Sequence, residues 1–305
     1  MVIAYIEEIE NKKYFKKVDI RKFDNNYIIA INLKDEIKIK KKLIKYILKF
    51  KINALIFSKS LERKFELEFK EYIAQKNINI EIINGKKVME FMQFDILQYI
   101  MEKQGTDMKQ ENIFIVFKNE KNLRLNFFTK FIENFKMTNI VTNEVAKFRN
   151  IQDNLLENEN ILISVSNNKR KALKRAKYIL NINLKKEELE KYNINRNAII
   201  INVRENIIFD NLNFDGININ NINIKLSDEC IEKFEMLNNK YDIKKIYESI
   251  LLCENIRSMD VEKIYEKIKK DEVQVKEIIG NNGVIEDEEL FKNKSMYLDK
   301  KLKLV

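Results

Sequence analysis

Three short runs of nearly unbroken apolar residues, IFIVF (113–117), ILISV (161–165) and AIIIN (198–202), constrain the fold of this chain more than any other feature. A strand with one wet face alternates polar and apolar residues. These runs do not, so they predict strands buried on both faces, as in a parallel sheet covered by helices. The segments between them, Leu123–Phe135, Asn143–Leu156 and Arg170–Lys177, read as helices, with a further strand at Asn139–Thr142 and another at Tyr178–Asn181. Strand and helix in alternation build an α/β domain with a Rossmann-like, mostly parallel sheet.

The first hundred residues carry the same rhythm. Val2–Ile9, Tyr27–Asn32, Ala54–Phe57 and Asn79–Ile83 are strand-like. Asp35–Phe50 places Ile39, Leu43, Ile44, Ile47 and Leu48 at helical spacing, and Leu61–Ala74 does so with Leu61, Phe65, Phe69 and Ile73. The predicted organisation is two α/β domains with C-terminal helices: an N-terminal α/β domain over 1–85, a connecting helix over 86–104, a Rossmann-like domain over 105–227 and a helical segment over 228–305. Residues 206–226 predict an extended ribbon, because Ile217, Ile219, Ile222, Ile224 and Leu226 recur at alternate positions.

Composition then excludes whole classes of chemistry. The 305 residues, 45% hydrophobic and 34% charged, are those of a folded globular protein rather than a disordered one. Histidine, tryptophan and proline are absent while 40 residues are asparagine, a bias that AT-rich coding produces. Without histidine there is no imidazole base, no Ser-His or Cys-His pair and no imidazole-ligated metal. Cys230 and Cys253 are too few for a disulfide framework or a four-thiolate zinc site. No metal is expected, and a reducing cytoplasm fits. The apolar start Met1–Ile6 stops at Glu7 and lacks a basic leader, so neither a signal peptide nor a membrane span is expected. The net charge of +10 divides as +7 over residues 1–110, +4 over 111–230 and −1 over 231–305. Such a surface favours anionic partners.

The segments ALIFSKSLERK (54–64), Asn84-Gly85, ENIFIVFKN (111–119), NIVTN (139–143), ILISVSNN (161–168) and NAIIINVRE (197–205) give the chain an order that resembles the shikimate dehydrogenase and methylenetetrahydrofolate dehydrogenase group of NAD(P)-dependent enzymes. The resemblance covers about residues 50–205 and implies a dinucleotide at the first turn of the Rossmann-like sheet. It also implies a lysine acid after the strand at 54–57, for which Lys59 and Lys64 are the candidates, with Asp95 as carboxylate partner. The chain departs from the group at the turn itself. Phe117-Lys118-Asn119-Glu120-Lys121-Asn122 contains no glycine, nor does any position from 106 to 215. Side chains there hold the backbone away from a pyrophosphate. At the end of the next strand Thr142-Asn143 replaces the acidic residue that holds the ribose of NAD, a neutral pair compatible with NADP.

The candidate cofactor-binding residues are therefore Lys118, Asn119, Thr142, Asn143, Ser166, Asn167 and Asn168. The last three also suit the cap of the helix that follows. Lys59, Lys64 and Asp95 equally suit solvent-facing positions. The basic run KRKALKRAK (169–177) places cations in a first helical turn, which opposes the helix dipole unless an anion is near, although Arg170, Lys174 and Lys177 also pattern as an exposed face. The Gly280–Gly283 segment reads as an Asn-Gly turn rather than a nucleic-acid clamp, since the residues after it are acidic. The sequence thus leads to a non-catalytic ligand-binding or regulatory module with no cofactor, whose partner is an anionic small molecule or protein. An NAD(P)-dependent oxidoreductase and a nucleic-acid-binding protein are the alternatives. No membrane partner is expected, and a homo-oligomer is compatible with the chain.

Overall fold

The computed structural model describes residues 1–9, 18–61, 63–118, 128–159, 161–209, 214–232, 234–254 and 261–302. In chain order β1 (Ile3–Glu8), β2 (Val18–Phe23), β3 (Asn26–Ile31), α1 (Glu36–Lys49), β4 (Ala54–Phe57), α2 (Arg63–Gln75), β5 (Glu81–Ile82) and α3 (Lys86–Phe91) come first. Then follow α4 (Gln93–Lys103), β6 (Asn112–Val116), α5 (Thr129–Asn134), β7 (Met137–Val141), α6 (Val145–Glu159), β8 (Ile163–Ser166), α7 (Lys169–Arg175) and β9 (Tyr178–Asn181). The chain continues through α8 (Lys186–Leu189), β10 (Ile199–Asn202), β11 (Ile217–Ile219), β12 (Asn221–Lys225), α9 (Asp228–Glu232) and α10 (Glu235–Asn238). It ends with α11 (Ile243–Cys253), α12 (Val261–Lys270), β13 (Gln274–Ile279) and α13 (Asp287–Leu302). Among the described residues no helix is long and apolar enough to cross a membrane.

The protein has two α/β units, one formed by Met1–Val88 with Leu226–Glu272, the other by Met89–Lys225 with Val273–Val305. This differs from the expected division. Residues 228–305 are not one helical segment: their first part completes unit 1, and β13 and α13 belong to unit 2. The expected connecting helix over 86–104 is two helices, interrupted at Met92, where the Gln93 side chain donates to the Glu90 carbonyl oxygen (2.6 Å).

Unit 1 is a five-stranded sheet of order β2-β3-β1-β4-β5, parallel except for the edge strand β2. The sequence reading passes over β2, whose VDIRKF mixes charge with apolar residues; the two-residue turn at Asp24-Asn25, with Asp24 at φ 51°, pairs it with β3. Helices α1 and α2 seal one face of the sheet. Ile39, Leu43 and Ile47 pack with Phe65, Phe69 and Ile73 over Ala4, Ile6, Leu55 and Phe57, all buried; of the other two apolar residues expected at helical spacing in α1, Ile44 is only partly buried and Leu48, past the edge of that face, is 65% exposed. The other face belongs to the returning chain: Tyr5 of β1 meets Tyr241 edge-on (5.5 Å between ring centroids), and its hydroxyl shares a hydrogen bond with Ser249 Oγ of α11 (3.1 Å). The sheet needs that cover, which is the physical reason the unit is discontinuous in sequence.

Unit 2 holds a six-stranded parallel sheet of order β11-β10-β9-β6-β7-β8. Counted from β6 as the first strand, this is the 3-2-1-4-5-6 order of the doubly wound Rossmann architecture. Phe117 packs against Phe128 and, edge-on, against Phe148 of α6 on one face; Val116, Ile179 and Ile200 meet Leu173 and Ala176 on the other. The predicted ribbon over 206–226 is two strands in different sheets. β11 joins β10 in parallel, while β12 pairs antiparallel with β13, and the five alternating apolar residues are all buried. Gly216 admits β11 beside β10, since a Cβ there would lie 2.1 Å from the Ala198 carbonyl oxygen.

The helical phase of α2 is directly testable. Phe69 is fully buried and stacks on Phe65 (6.1 Å, 14°), whereas Leu67 on the same helix is 54% exposed. Phe69→Ala is expected to lower unfolding free energy in urea by about 3–5 kcal/mol and Leu67→Ala by no more than about 0.5 kcal/mol. Comparable losses in the two variants would show the helix to be rotated.

Candidate functional site

In an open parallel sheet ligands bind outside the carboxyl ends of the strands, where the strand order reverses. In unit 2 that place lies between β6 and β9, and the described residues there bond to one another. The Lys118 amide donates to Asn183 Oδ1 (2.9 Å), and the Lys118 carbonyl accepts from the Thr142 hydroxyl and the Asn143 amide, each at 3.2 Å. Lys118 Nζ pairs with Glu188 at 2.9 Å, and this hydrogen bond holds the Glu188 carboxyl below the ordinary carboxylate range. Buried Lys169 donates to Asn143 Oδ1, and burial lowers its pKa against the pull of Glu188. Beyond β9 the same edge is closed by asparagines. Asn181 donates to Asn202, Asn202 to Asn218 (2.6 Å) and Asn220 (3.0 Å), and Asn220 to Asn281 (2.7 Å). Such a network satisfies buried amides that would otherwise be costly.

The open space of unit 2 lies on a face of the sheet instead. A groove of about 780 Å³ runs over β6, β7 and β8 beside α7. The chain must cross from the edge strand β8 back to β9, and α7 makes that crossing in seven residues, covering Val116 and Ile179 but leaving the outer strands open. Side chains alternate along a strand, so Asn139, Ser164 and Ser166 line this groove, with Phe114 and Val141 beside them, while Thr138 and Ile163 turn to the opposite face. Lys171 and Arg175 of α7 and Lys136 before β7 line its walls. Among the described residues none of these three has a carboxylate within ion-pair distance. The carboxylate of the lining, Glu111, is already engaged by Lys177 (2.6 Å), which also lies over the Tyr178 ring. The groove is therefore electropositive, with hydroxyl and carboxamide groups on its floor. Among the described residues no three Cys, Asp or Glu side chains are grouped as a metal site needs.

Unit 1 holds a second concentration of buried charge. Lys244 of α11 is 1% exposed, and its methylene stem lies across Gly85, where φ is +81° and a Cβ would meet Lys244 Cε at 2.4 Å. Burial pushes the Lys244 ammonium down to about 8. Lys86 is likewise pushed down to about 8, by burial first and then by repulsion from Lys244. Glu248, one turn along α11, accepts from the Lys87 amide (3.2 Å); burial pushes its carboxyl up to about 7.

No protein-family model and no curated protein matches the chain. Solved structures that it resembles are aspartate carbamoyltransferases. One, described as an aspartate carbamoyltransferase of Trypanosoma cruzi, is 10% identical with a TM-score of 0.28, over 70% of this chain and 75% of that one. Another, aspartate transcarbamoylase of the same organism in complex with N-(phosphonacetyl)-L-aspartic acid, is 10% identical with a TM-score of 0.25, over 66% and 70%. At these scores the likeness assigns neither family nor activity. The resemblance to the shikimate dehydrogenase group is not upheld: no family model and no curated protein of that group matches the chain, and the two structures named are carbamoyltransferases. The strand-helix rhythm that suggested the group is common to doubly wound sheets, and the residues specific to it were those already missing.

Of the sequence candidates, the structure brings Lys118, Thr142, Asn143 and Ser166 together at the carboxyl edge, where the Thr142 amide donates to the Ser166 carbonyl (2.9 Å). Asn168 caps α7, its Oδ1 accepting from the Lys171 amide (3.0 Å), and Ser166 Oγ accepts from the Asn168 amide (3.0 Å). Asn167 is exposed beside them, and Asn119, with the turn through Asn122, lies outside the described residues. Lys59 is exposed, and Lys64 is exposed and 3.8 Å from Glu68 on its own helix. Asp95, on the first turn of α4, lies in the other unit, so its expected pairing with either lysine is not made within one unit. Burial raises the Asp95 pKa against the pull of Lys130, and among the described residues its Oδ2 has no hydrogen-bond partner. Sequence reasoning missed Asn139, Ser164, Lys136 and Arg175 as members of one groove. The available signal was ISVS, where two serines two residues apart interrupt an apolar strand on a single face.

The unit 1 cluster sets a pH dependence of opposite sign on its two flanks. Glu248 retains a proton in the folded state that the unfolded chain releases, so stability falls as pH rises from about 4.5 to about 7. Lys244 and Lys86 release protons in the folded state that the unfolded chain retains, so stability recovers between about 8 and 10.5. Melting temperature measured across this range should pass through a shallow minimum near neutrality, and Glu248→Gln should flatten the acidic flank alone. An unchanged acidic flank in that variant would remove Glu248 as its source.

Proposed function

We propose that this protein is a non-catalytic ligand-binding module that holds an anionic small molecule in the groove over β6, β7 and β8. One observation carries the reading: Lys136, Lys171 and Arg175, none of them ion-paired among the described residues, converge on a floor that includes Ser164, Ser166 and Asn139. The Asn139 side-chain amide already donates to the Ile113 carbonyl (3.2 Å) and Ser166 Oγ accepts from the Asn168 amide (3.0 Å), which fixes the polar floor in place beneath the three cations. Arg175 offers a planar fork to a carboxylate or phosphate, and Lys136 and Lys171 add point charges. A role as a binding module rather than an enzyme rests on the absence of histidine from the sequence and on the internal bonding of the carboxyl edge, where the chemistry of doubly wound enzymes takes place.

Thermal-shift titration with inorganic phosphate, citrate, nucleoside phosphates and NADPH tests the reading. A ligand at a hundred times its dissociation constant stabilises the folded state by about 2.7 kcal/mol. The shift should shrink with added salt and disappear in Lys171→Ala/Arg175→Ala, while Lys174→Ala, on the same helix but outside the groove, should bind as the wild type does. Equal binding by the double variant, or no stabilisation by any anion of the panel, would overturn it.

A further inference from the structure

Helix α1 buries one face in unit 1 through Ile39, Leu43 and Ile47 and turns a second, distinct face outward. The exposed residues are Ile37, Lys38, Lys41, Lys45, Leu48 and Lys49, a single stripe along a helix about 21 Å long. Lys41, Lys45 and Lys49 follow one another at one-turn intervals. Acid is confined to the amino end, where Asp35 pairs with Lys38 (2.9 Å) and Glu36 lies near Lys40 (3.9 Å). Lys40 reaches across to Glu68 of α2 (2.6 Å), away from the stripe. Among the described residues no carboxylate lies within ion-pair distance of Lys41, Lys45 or Lys49.

Charge alone would suit any polyanion, but the stripe is not purely charged. Ile37 is 68% exposed at one end and Leu48 65% at the other, and Leu67 is open to solvent on the neighbouring α2. A phosphate backbone gains nothing from branched aliphatic side chains in water. A lipid surface gains from both, taking the lysines at its headgroups and the aliphatic ends into the acyl boundary. We propose that the outward face of α1 docks unit 1 on an anionic lipid bilayer, with Lys41, Lys45 and Lys49 at the headgroups and Ile37 and Leu48 inserted between them. The proposal departs from the expectation of no membrane partner, which rested on the lack of any stretch able to span a bilayer; a helix lying on the surface needs no such stretch.

Sedimentation of the full chain with phosphatidylcholine vesicles, with and without phosphatidylserine, tests this. The wild-type protein should pellet only with the phosphatidylserine vesicles. Each lysine changed to glutamine on the stripe should weaken binding about fivefold, so Lys41→Gln/Lys45→Gln/Lys49→Gln should abolish detectable pelleting. Ile37→Ser/Leu48→Ser should weaken it at low and high salt alike, and Lys171→Gln/Arg175→Gln in unit 2 should leave it intact. Melting temperatures near the wild-type value would show that the variants fold, as expected for solvent-exposed positions. Absence of phosphatidylserine-dependent pelleting would overturn the proposal. So would equal loss in the unit 2 variant, or binding to duplex DNA that the lysine variant loses and Ile37→Ser/Leu48→Ser retains in preference to vesicles.

Discussion

A parallel sheet must be covered on both faces, and the structure of this protein follows from how its chain meets that demand in each unit. In unit 1 the local helices α1 and α2 cover one face only. The other is closed by a segment that arrives more than two hundred residues later, and the Tyr5–Ser249 hydrogen bond is a direct record of it. The requirement also explains Gly85. A Cβ there would displace the Lys244 side chain and would strain a backbone held at φ +81°.

In unit 2 the same demand is met incompletely. Helix α7 is short because it has only to carry the chain from β8 to β9, and it covers the centre of the sheet rather than the outer strands. The uncovered strands bear serine and asparagine on that face, where isoleucine would be exposed to water. The groove and its polar floor are thus one feature seen twice, as backbone path and as side-chain choice. At the carboxyl edge, by contrast, the asparagine chain and the Lys118–Glu188 pair spend their polar groups on one another. An asparagine bias that looks like mere coding composition in the sequence becomes, in the fold, a connected set of buried carboxamides.

Much of this was legible in the residues. The strands β6 and β10 lie within a residue of their apolar runs, because a strand buried on both faces has no other pattern available; ILISV, expected to be buried on both faces, is instead the edge strand β8, which starts two residues later and turns Ser164 and Ser166 to the open groove. The amphipathic helices α1 and α2 were equally plain. Edge strand β2 was not, since a strand paired on one side and wet on one face tolerates Asp19, Arg21 and Lys22. The break at Met92 was hidden because a side-chain amide, not a proline or glycine, interrupts the helix. The polar cluster around Thr142 and Ser166 was visible as the ends of adjacent strands, whereas the groove was not, because Lys136, Ser164 and Arg175 meet only once strand order is known.

The sequence by itself determined that this protein is α/β, that its second sheet is parallel, and that no histidine-dependent chemistry is available to it. These are local properties: periodicity and composition act over a turn of helix or a single strand. Tertiary structure alone decided which segment closes the second face of unit 1 and which polar side chains share a cavity. Those outcomes depend on contacts between residues tens to hundreds of positions apart, and no pattern within one segment specifies the segment it will meet.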